Sequence, residues 1–116
     1  MKLEGKAKML RVHFGENDKW RGQSLYEAIV DKCHELDIAG ATVFRGIEGY
    51  GASTLIHRSH LLRRGSDMPI MVAIVDTEEK IRICSQYLMR VDEGLIAMSD
   101  VEVIRYVHQE GVRSQA

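Results

Sequence analysis

Proline is almost absent from this chain, cysteine is scarce and aromatic residues are few. With Pro69 as the one proline, no proline-rich linker or recognition segment is present. The two cysteines, Cys33 and Cys84, have no partner at short spacing and fall inside helix-like patterns. They are expected as reduced core thiols of a cytoplasmic protein. Only 6% of residues are aromatic, and none sits in the Gly-Phe-Gly-Phe context through which a sheet stacks on RNA. Neither sign of charge dominates: 16 Lys and Arg face 17 Asp and Glu, a net −1. That balance excludes the global basic field of a nucleic-acid binder and the acidic excess of a disordered tail. No apolar run approaches the ~20 residues of a membrane span, and no apolar core follows the charges at the start of the chain. The expected protein is therefore not membrane-embedded.

What is present is an alternation of short patterned segments across 116 residues, the length of one domain. Residues 8–14 alternate, with Leu10, Val12 and Phe14 on one side and Met9, Arg11 and His13 on the other. This is a half-buried strand. A polar, turn-rich stretch covers 16–22. Ser24 with Glu27 predicts a capping box, after which Leu25, Ile29, Cys33 and Leu36 recur at helical spacing. The helix is expected to stop before Ala39 and Gly40.

A second strand is predicted over 41–50, with glycines at 46, 49 and 51. Behind Pro69, residues 70–75 form a nearly unbroken apolar run, the mark of a central strand. Asp76 and Glu79 suit a helix start, followed by the stripe Ile81, Cys84, Leu88 and Val91. A last extended stretch over 95–107 carries an interruption at Ser99–Asp100. Residues 108–116 have no period and read as a C-terminal tail, leaving 1–107 as the domain.

The order βαββαβ predicts an α+β fold of ferredoxin-like type, a four-stranded antiparallel sheet with two helices on one face. Met9, Phe44, Met71 and Ala73 are then left on the open face. A chain this short buries only about two-thirds of its unfolded surface, so cover from other subunits is expected.

Residues 51–66, between the middle strands, exceed the usual 2–5 residues of a hairpin loop. They carry Arg58, Arg63 and Arg64 with His57 and His60, and no acidic residue. Beside them stands Arg45-Gly-Ile-Glu-Gly-Tyr-Gly51, whose glycines permit positive φ and close approach of backbone N–H groups. Glycine donors and guanidinium forks together form an anion site; a solvated loop with incidental charge is the bland alternative.

The run Ala41-Thr-Val-Phe-Arg-Gly-Ile-Glu-Gly-Tyr-Gly51, with Ile56-His57, Leu61-Leu62, Asp67-Met-Pro-Ile-Met-Val72, Ile74-Val-Asp-Thr-Glu-Glu-Lys-Ile81 and Asp100-Val-Glu-Val-Ile104, resembles a widespread prokaryotic family of uncharacterised proteins in the PII-like superfamily. Leu25-Tyr-Glu-Ala-Ile-Val30 matches as well. The resemblance implies a homotrimer with sheets packed inward and helices outward. It implies an adenine nucleotide (AMP, ADP or ATP) as effector in clefts between subunits. It implies, further, that the 51–66 loop signals to a membrane transporter or an enzyme. On this reading Arg45, Gly46, Glu48, Gly49, Gly51 and His57 line the cleft, and Arg58 or Arg63 reaches a phosphate. Where relatives have a glycine run before the last strand, this chain has Val91-Asp-Glu-Gly-Leu95, which weakens the case for a second phosphate loop. No counterpart of the modifiable tyrosine of PII proteins stands in 51–66.

Two other readings compete with this one. The His57-x-x-His60 spacing, with His13, His34 and His108, admits a trimeric divalent-metal protein resembling the copper-tolerance family. Two histidines without a third ligand in sequence are a weak metal signal. For catalysis, Glu16, Asp18 and Glu48 are acids near glycines, but caps and solvated turns explain them better. The two core cysteines are poor nucleophiles. No catalytic constellation emerges, so the expected role is regulatory rather than enzymatic. Trp20, alone in a polar loop, suits either the anchor of a subunit contact or a stacking partner for a base, and the anchor is the expected role.

Overall fold

The structure, a computed structural model, describes residues 3–51, 57–58, 67–88 and 94–106. Its main sheet is built from β1 (Gly5–Gly15), β2 (Gly40–Arg45), β3 (Pro69–Asp76) and β4 (Leu95–Val103), with α1 (Leu25–Glu35) and α2 (Glu78–Leu88) between them. The strands lie in the order β2-β3-β1-β4 and every pair is antiparallel. This is the expected ferredoxin-like architecture.

Register explains where the core sits. On one face the cross-strand rows run Ala41, Ile74, Leu10, Met98 and Val43, Val72, Val12, Ile96. The helices bring Leu25, Ile29 and Cys33 from α1 and Ile81, Cys84 and Leu88 from α2 onto those rows. Leu10, Val72, Ile74 and Ile81 lose all contact with solvent. The helices do not reach β4, where Met98 and Ile96 stay 45% and 39% exposed. On the other face the rows are Phe44, Met71, His13, Leu95 and Thr42, Ala73, Arg11, Ala97. Met9, Phe44, Met71 and Ala73 thus share the open face, as their alternation requires.

The ends of the elements differ from expectation in instructive ways. Residues 16–22 are not all turn: Lys19–Trp20 pairs with Gln23–Ser24 in a small ribbon. Its two-residue connection has Arg21 at φ 50 and Gly22 at φ 80, the type I′ geometry that suits strand twist. Because Ser24 belongs to this ribbon, its side chain makes no cap bond and the capping box with Glu27 does not form. The N–H of Leu25 instead donates to the carbonyl of Asp18 at 2.8 Å. At the other end of α1, Asp37 takes the left-handed conformation (φ 58), and Ile38 and Asp37 donate to Cys33 and His34. That is a Schellman closure made without glycine.

The predicted second strand ends at Arg45: the N–H of Gly46 still donates to the carbonyl of Pro69, next in register, at 2.7 Å, but Pro69 has no N–H to carry the ladder further. The last strand runs unbroken through Ser99–Asp100 to Val103. Lys8 of β1 pairs with Asp100 there, and Arg11 donates to the Ser99 hydroxyl at 3.1 Å, so both polar residues are tied to the neighbouring strand. α2 is capped by Thr77, whose hydroxyl accepts from the N–H of Lys80 at 3.3 Å. Buried Asp76 accepts from the N–H groups of Ala39 (2.8 Å) and Thr77 (2.6 Å), fastening the start of β2 to the end of β3. Val91, the 108–116 tail and the end of the predicted last stretch at Val107 lie outside the described residues.

Candidate functional site

The candidate residues gather at the end of the edge strand β2. Arg45 closes that strand opposite Ile70 and directs its guanidinium Nε to the Glu16 carboxylate at 3.1 Å. Glu16 is held by its own N–H, which donates to the carbonyl of Met68 at 2.8 Å. Asn17 donates to the Asp67 carboxylate at 2.7 Å, and Gly15 to the Asp18 carboxylate at 3.3 Å. The turn after β1 and the lead into β3 therefore form one hydrogen-bonded shelf beneath Arg45. Glu16 and Asp18 serve as turn and ion-pair partners in it.

The glycines divide by role. A Cβ on Gly46 would lie 2.9 Å from Pro69 Cγ, so glycine is required by close packing against the proline. A Cβ on Gly49 would meet Pro69 at an ordinary 3.5 Å, and one on Gly51 would meet nothing within 4 Å. None of the three has positive φ; among the described glycines only Gly5 and Gly22 do. The positive φ that glycine permits is thus not used at these positions, and of the three only Gly51 leaves open space around its backbone.

Beyond Gly46 the chain pairs again. Glu48 stands opposite Arg58 and Gly49 opposite His57 in a short antiparallel ribbon. The pairing sets residues 57–58, midway along the 51–66 stretch, alongside Glu48 and Gly49 in a two-stranded ribbon separate from the main sheet. Four of the predicted site residues are thereby joined, Glu48, Gly49, His57 and Arg58, just after Arg45 at the end of β2. Arg63, with Arg64 and His60, lies outside the described residues. Sequence reasoning missed Glu16, Asn17 and Asp67 as supports of this root. The juxtaposition of Gly15 with Asp67, whose carboxylate would lie 2.6 Å from a Cβ there, is visible only after folding.

The root is also unusually apolar at its surface. Ile47 is 83% exposed and Tyr50 70%, with Phe44 nearby on the open face. Apolar side chains concentrated at a rim of this kind mark contact surfaces. Among the described residues no three His, Cys, Asp or Glu side chains gather to hold a metal ion. His13 lies on the open sheet face and His34 on the exposed side of α1, so these two do not converge. No described helix is long and apolar enough to cross a membrane.

Three further residues, Cys33, Cys84 and Trp20, meet partners the sequence did not foretell. Cys33 and Cys84 meet across the helices with their Sγ atoms 3.8 Å apart, both buried and unoxidised. The contact with Cys84, together with burial, pushes the Cys33 thiol up. Trp20 packs against the core of its own chain, with the Arg21 guanidinium 5.2 Å from its ring centre.

The chain is similar to known proteins along most of its length. The DUF190 family, described as "Uncharacterized ACR", matches residues 7–103. A UPF0166 protein of Aquifex aeolicus is 37% identical over 99 residues, covering 85% of this chain and 94% of the relative. A UPF0166 protein of Methanocaldococcus jannaschii is 33% identical over 102 residues, covering 86% and 94%. Among solved structures, the fold is similar to CPII, a nitrogen regulatory PII-like protein from Thiomonas intermedia K12 bound to ADP, AMP and bicarbonate. The TM-score is 0.63 at 21% identity, over 86% of this chain and 90% of that one. The apo form of CPII matches at TM-score 0.56 and 18% identity, over 87% and 95%.

Proposed function

The chain belongs to the DUF190 family, and from that membership and its PII-like fold we propose that it is a regulatory protein that binds an adenine nucleotide between subunits of a homotrimer. The 51–66 loop then reports the bound state to a partner protein, a transporter or an enzyme of the cytoplasm. The observation that carries this reading is the ribbon of Glu48–Gly49 with His57–Arg58, which ties the middle of the 51–66 loop back to the residues just after Arg45. A loop tied to a paired strand transmits a change at that strand more directly than one hung from coil. The likeness to CPII, described as bound to ADP and AMP, supplies the ligand class.

Gly51 leaves backbone open to a phosphate, and Arg45 has a partner it can exchange. Its ion pair with Glu16 is exposed on the arginine side, and surface pairs of this kind contribute roughly 0–1 kcal/mol. A phosphate accepting both arms of the guanidinium offers a stronger, bidentate alternative. Arg58, and Arg63 further along the loop, are assigned to the same phosphate. The open sheet face, with Met9, Met71 and Phe44 among small and polar neighbours, is assigned to the trimer interior.

Thermal melts with AMP, ADP and ATP test the ligand, and light scattering tests the assembly. A ligand at a hundred times its dissociation constant stabilises by about 2.7 kcal/mol, which shifts the melting temperature of a domain this size by roughly 10–20 °C. Arg45→Ala and Arg58→Ala are expected to abolish that shift while leaving the unliganded melt in place. Absence of any nucleotide shift overturns the ligand; a monomer at micromolar concentration overturns the intersubunit site.

A further inference from the structure

The helix layer contains a cavity that the loop-root site does not use. It measures about 140 Å³ and opens between α1, α2 and the ribbon that carries Trp20. Its walls come from two facing helical stripes: Leu25, Ala28, Ile29 and Lys32 on α1, and Cys84, Tyr87 and Leu88 on α2. The helices touch at the Cys33–Cys84 thiol contact. The lining residues lie on the N-terminal side of Cys33 and the C-terminal side of Cys84, so the space runs away from that contact along both helices. Ala28, the smallest side chain on its stripe, leaves room that a larger residue would fill. Trp20 and Arg21 close the outer side.

The mouth is cationic and its cations are held in place. Lys32 Nζ lies 4.4 Å from the centre of the Tyr87 ring, and the Arg21 guanidinium lies over Trp20. Cation–π contacts of this sort orient long side chains without neutralising them. Lys32 also meets Glu35 at 3.3 Å, an exposed pair on one helix turn that another carboxylate can displace. Among the described residues no carboxylate pairs with Arg21; the nearby Asp31 is engaged by Gln23 at 2.9 Å. Arg21 moreover sits at φ 50, in a turn position that asparagine or glycine occupies with less strain.

We propose that this cavity binds a small carboxylate with an apolar body, an aromatic ring or a branched aliphatic chain. The volume fits one ring, being close to the roughly 150 Å³ of an apolar cavity known to take benzene. The apolar body lies between the helical stripes under Trp20, and the carboxylate faces Arg21 and Lys32. The ligand class follows from the combination: apolar walls exclude a polyanion, and a cationic rim disfavours an amine. No residue is shared with the loop root, so this site and the nucleotide site stand or fall separately.

Trp20 is the only tryptophan in the chain, which makes its fluorescence a direct reporter. The full-length protein is titrated with benzoate and 3-methylbutanoate, and with benzamide as the uncharged isostere of benzoate. A saturable change with the carboxylates, at least about tenfold weaker with benzamide, is the expected result, as loss of charge-assisted bonds implies. Arg21→Gly, which suits the turn and so keeps or raises the melting temperature, weakens benzoate binding by about tenfold or more. Ala28→Met fills the space and removes binding while its unchanged melt shows an intact fold. A response that never saturates, that benzamide reproduces at equal concentration, or that survives Ala28→Met overturns the site.

Discussion

Gly15 and Gly46 each stand where a methyl group has no room. A Cβ on Gly15 would sit 2.6 Å from the Asp67 carboxylate, and that carboxylate is fixed by the Asn17 N–H, so it cannot swing aside cheaply. A Cβ on Gly46 would press on the Pro69 ring at 2.9 Å, a group with no rotamer to change. Overpacking of this kind costs about 1–3 kcal/mol, and Gly15→Ala and Gly46→Ala are each expected to lose that much in urea unfolding. Gly51→Ala, with open space around it and no positive φ, is expected to leave stability unchanged. The contrast separates glycines kept for packing from a glycine free to face a ligand. The sequence showed a run of glycines here and offered freedom of φ as the common reason. The actual reasons differ residue by residue because they depend on Asp67 and Pro69, which the chain brings back only through the sheet.

The two helices were legible as elements because their apolar residues recur every three or four positions. Leu25, Ile29, Cys33 and Ile81, Cys84, Leu88 are all buried in the positions that spacing requires. Their starts were less legible, since a cap depends on the conformation of what precedes it. Ser24 is drawn into the ribbon with Lys19 and makes no cap bond, whereas Thr77 follows a strand end freely and caps Lys80. Ser24→Ala is therefore expected to cost under about 0.5 kcal/mol, while Thr77→Ala costs about 1 kcal/mol in chemical denaturation. A loss of similar size at both positions would contradict this assignment of caps. The strands behaved alike: β1 and β3 follow their alternation, but the predicted single strand over 41–50 divides at Gly46. The ladder ends there because Pro69 has a carbonyl to offer and no N–H.

At the scale of the whole molecule, Lys8 joins three elements. It reaches Asp100 on β4 and lies 3.7 Å from Glu78 at the start of α2. The hydrogen bond to Asp100, with the charges of Asp100 and Glu78, raises the lysine above its ordinary value, while Lys8 lowers Asp100. Arg82, on the same helix, lowers Glu78 first and Lys8 adds to it. A carboxylate lowered in the folded state stabilises above its unfolded value, near pH 4, and that contribution fades as pH falls through the folded value. The raised lysine contributes below its ordinary range and loses that contribution as pH rises through the folded value. Lys8→Met is thus expected to be less stable than the wild type near neutrality. The gap should narrow below about pH 4, as melts across a pH series will report.

Local pattern determined the elements of this protein: period two and period 3.6 are properties of neighbouring residues, and they specify which side chains share a face. The same patterns placed Arg45, Gly49 and the basic loop next to one another in sequence. Only the tertiary structure decided which distant residues meet: Arg45 with Glu16, Asn17 with Asp67, Cys33 with Cys84, and Trp20 with the space between the helices. Such contacts span from about thirty to fifty residues of chain. They arise because antiparallel pairing of β1 and β3 folds two halves onto one sheet, and no periodicity within either half encodes the register between them.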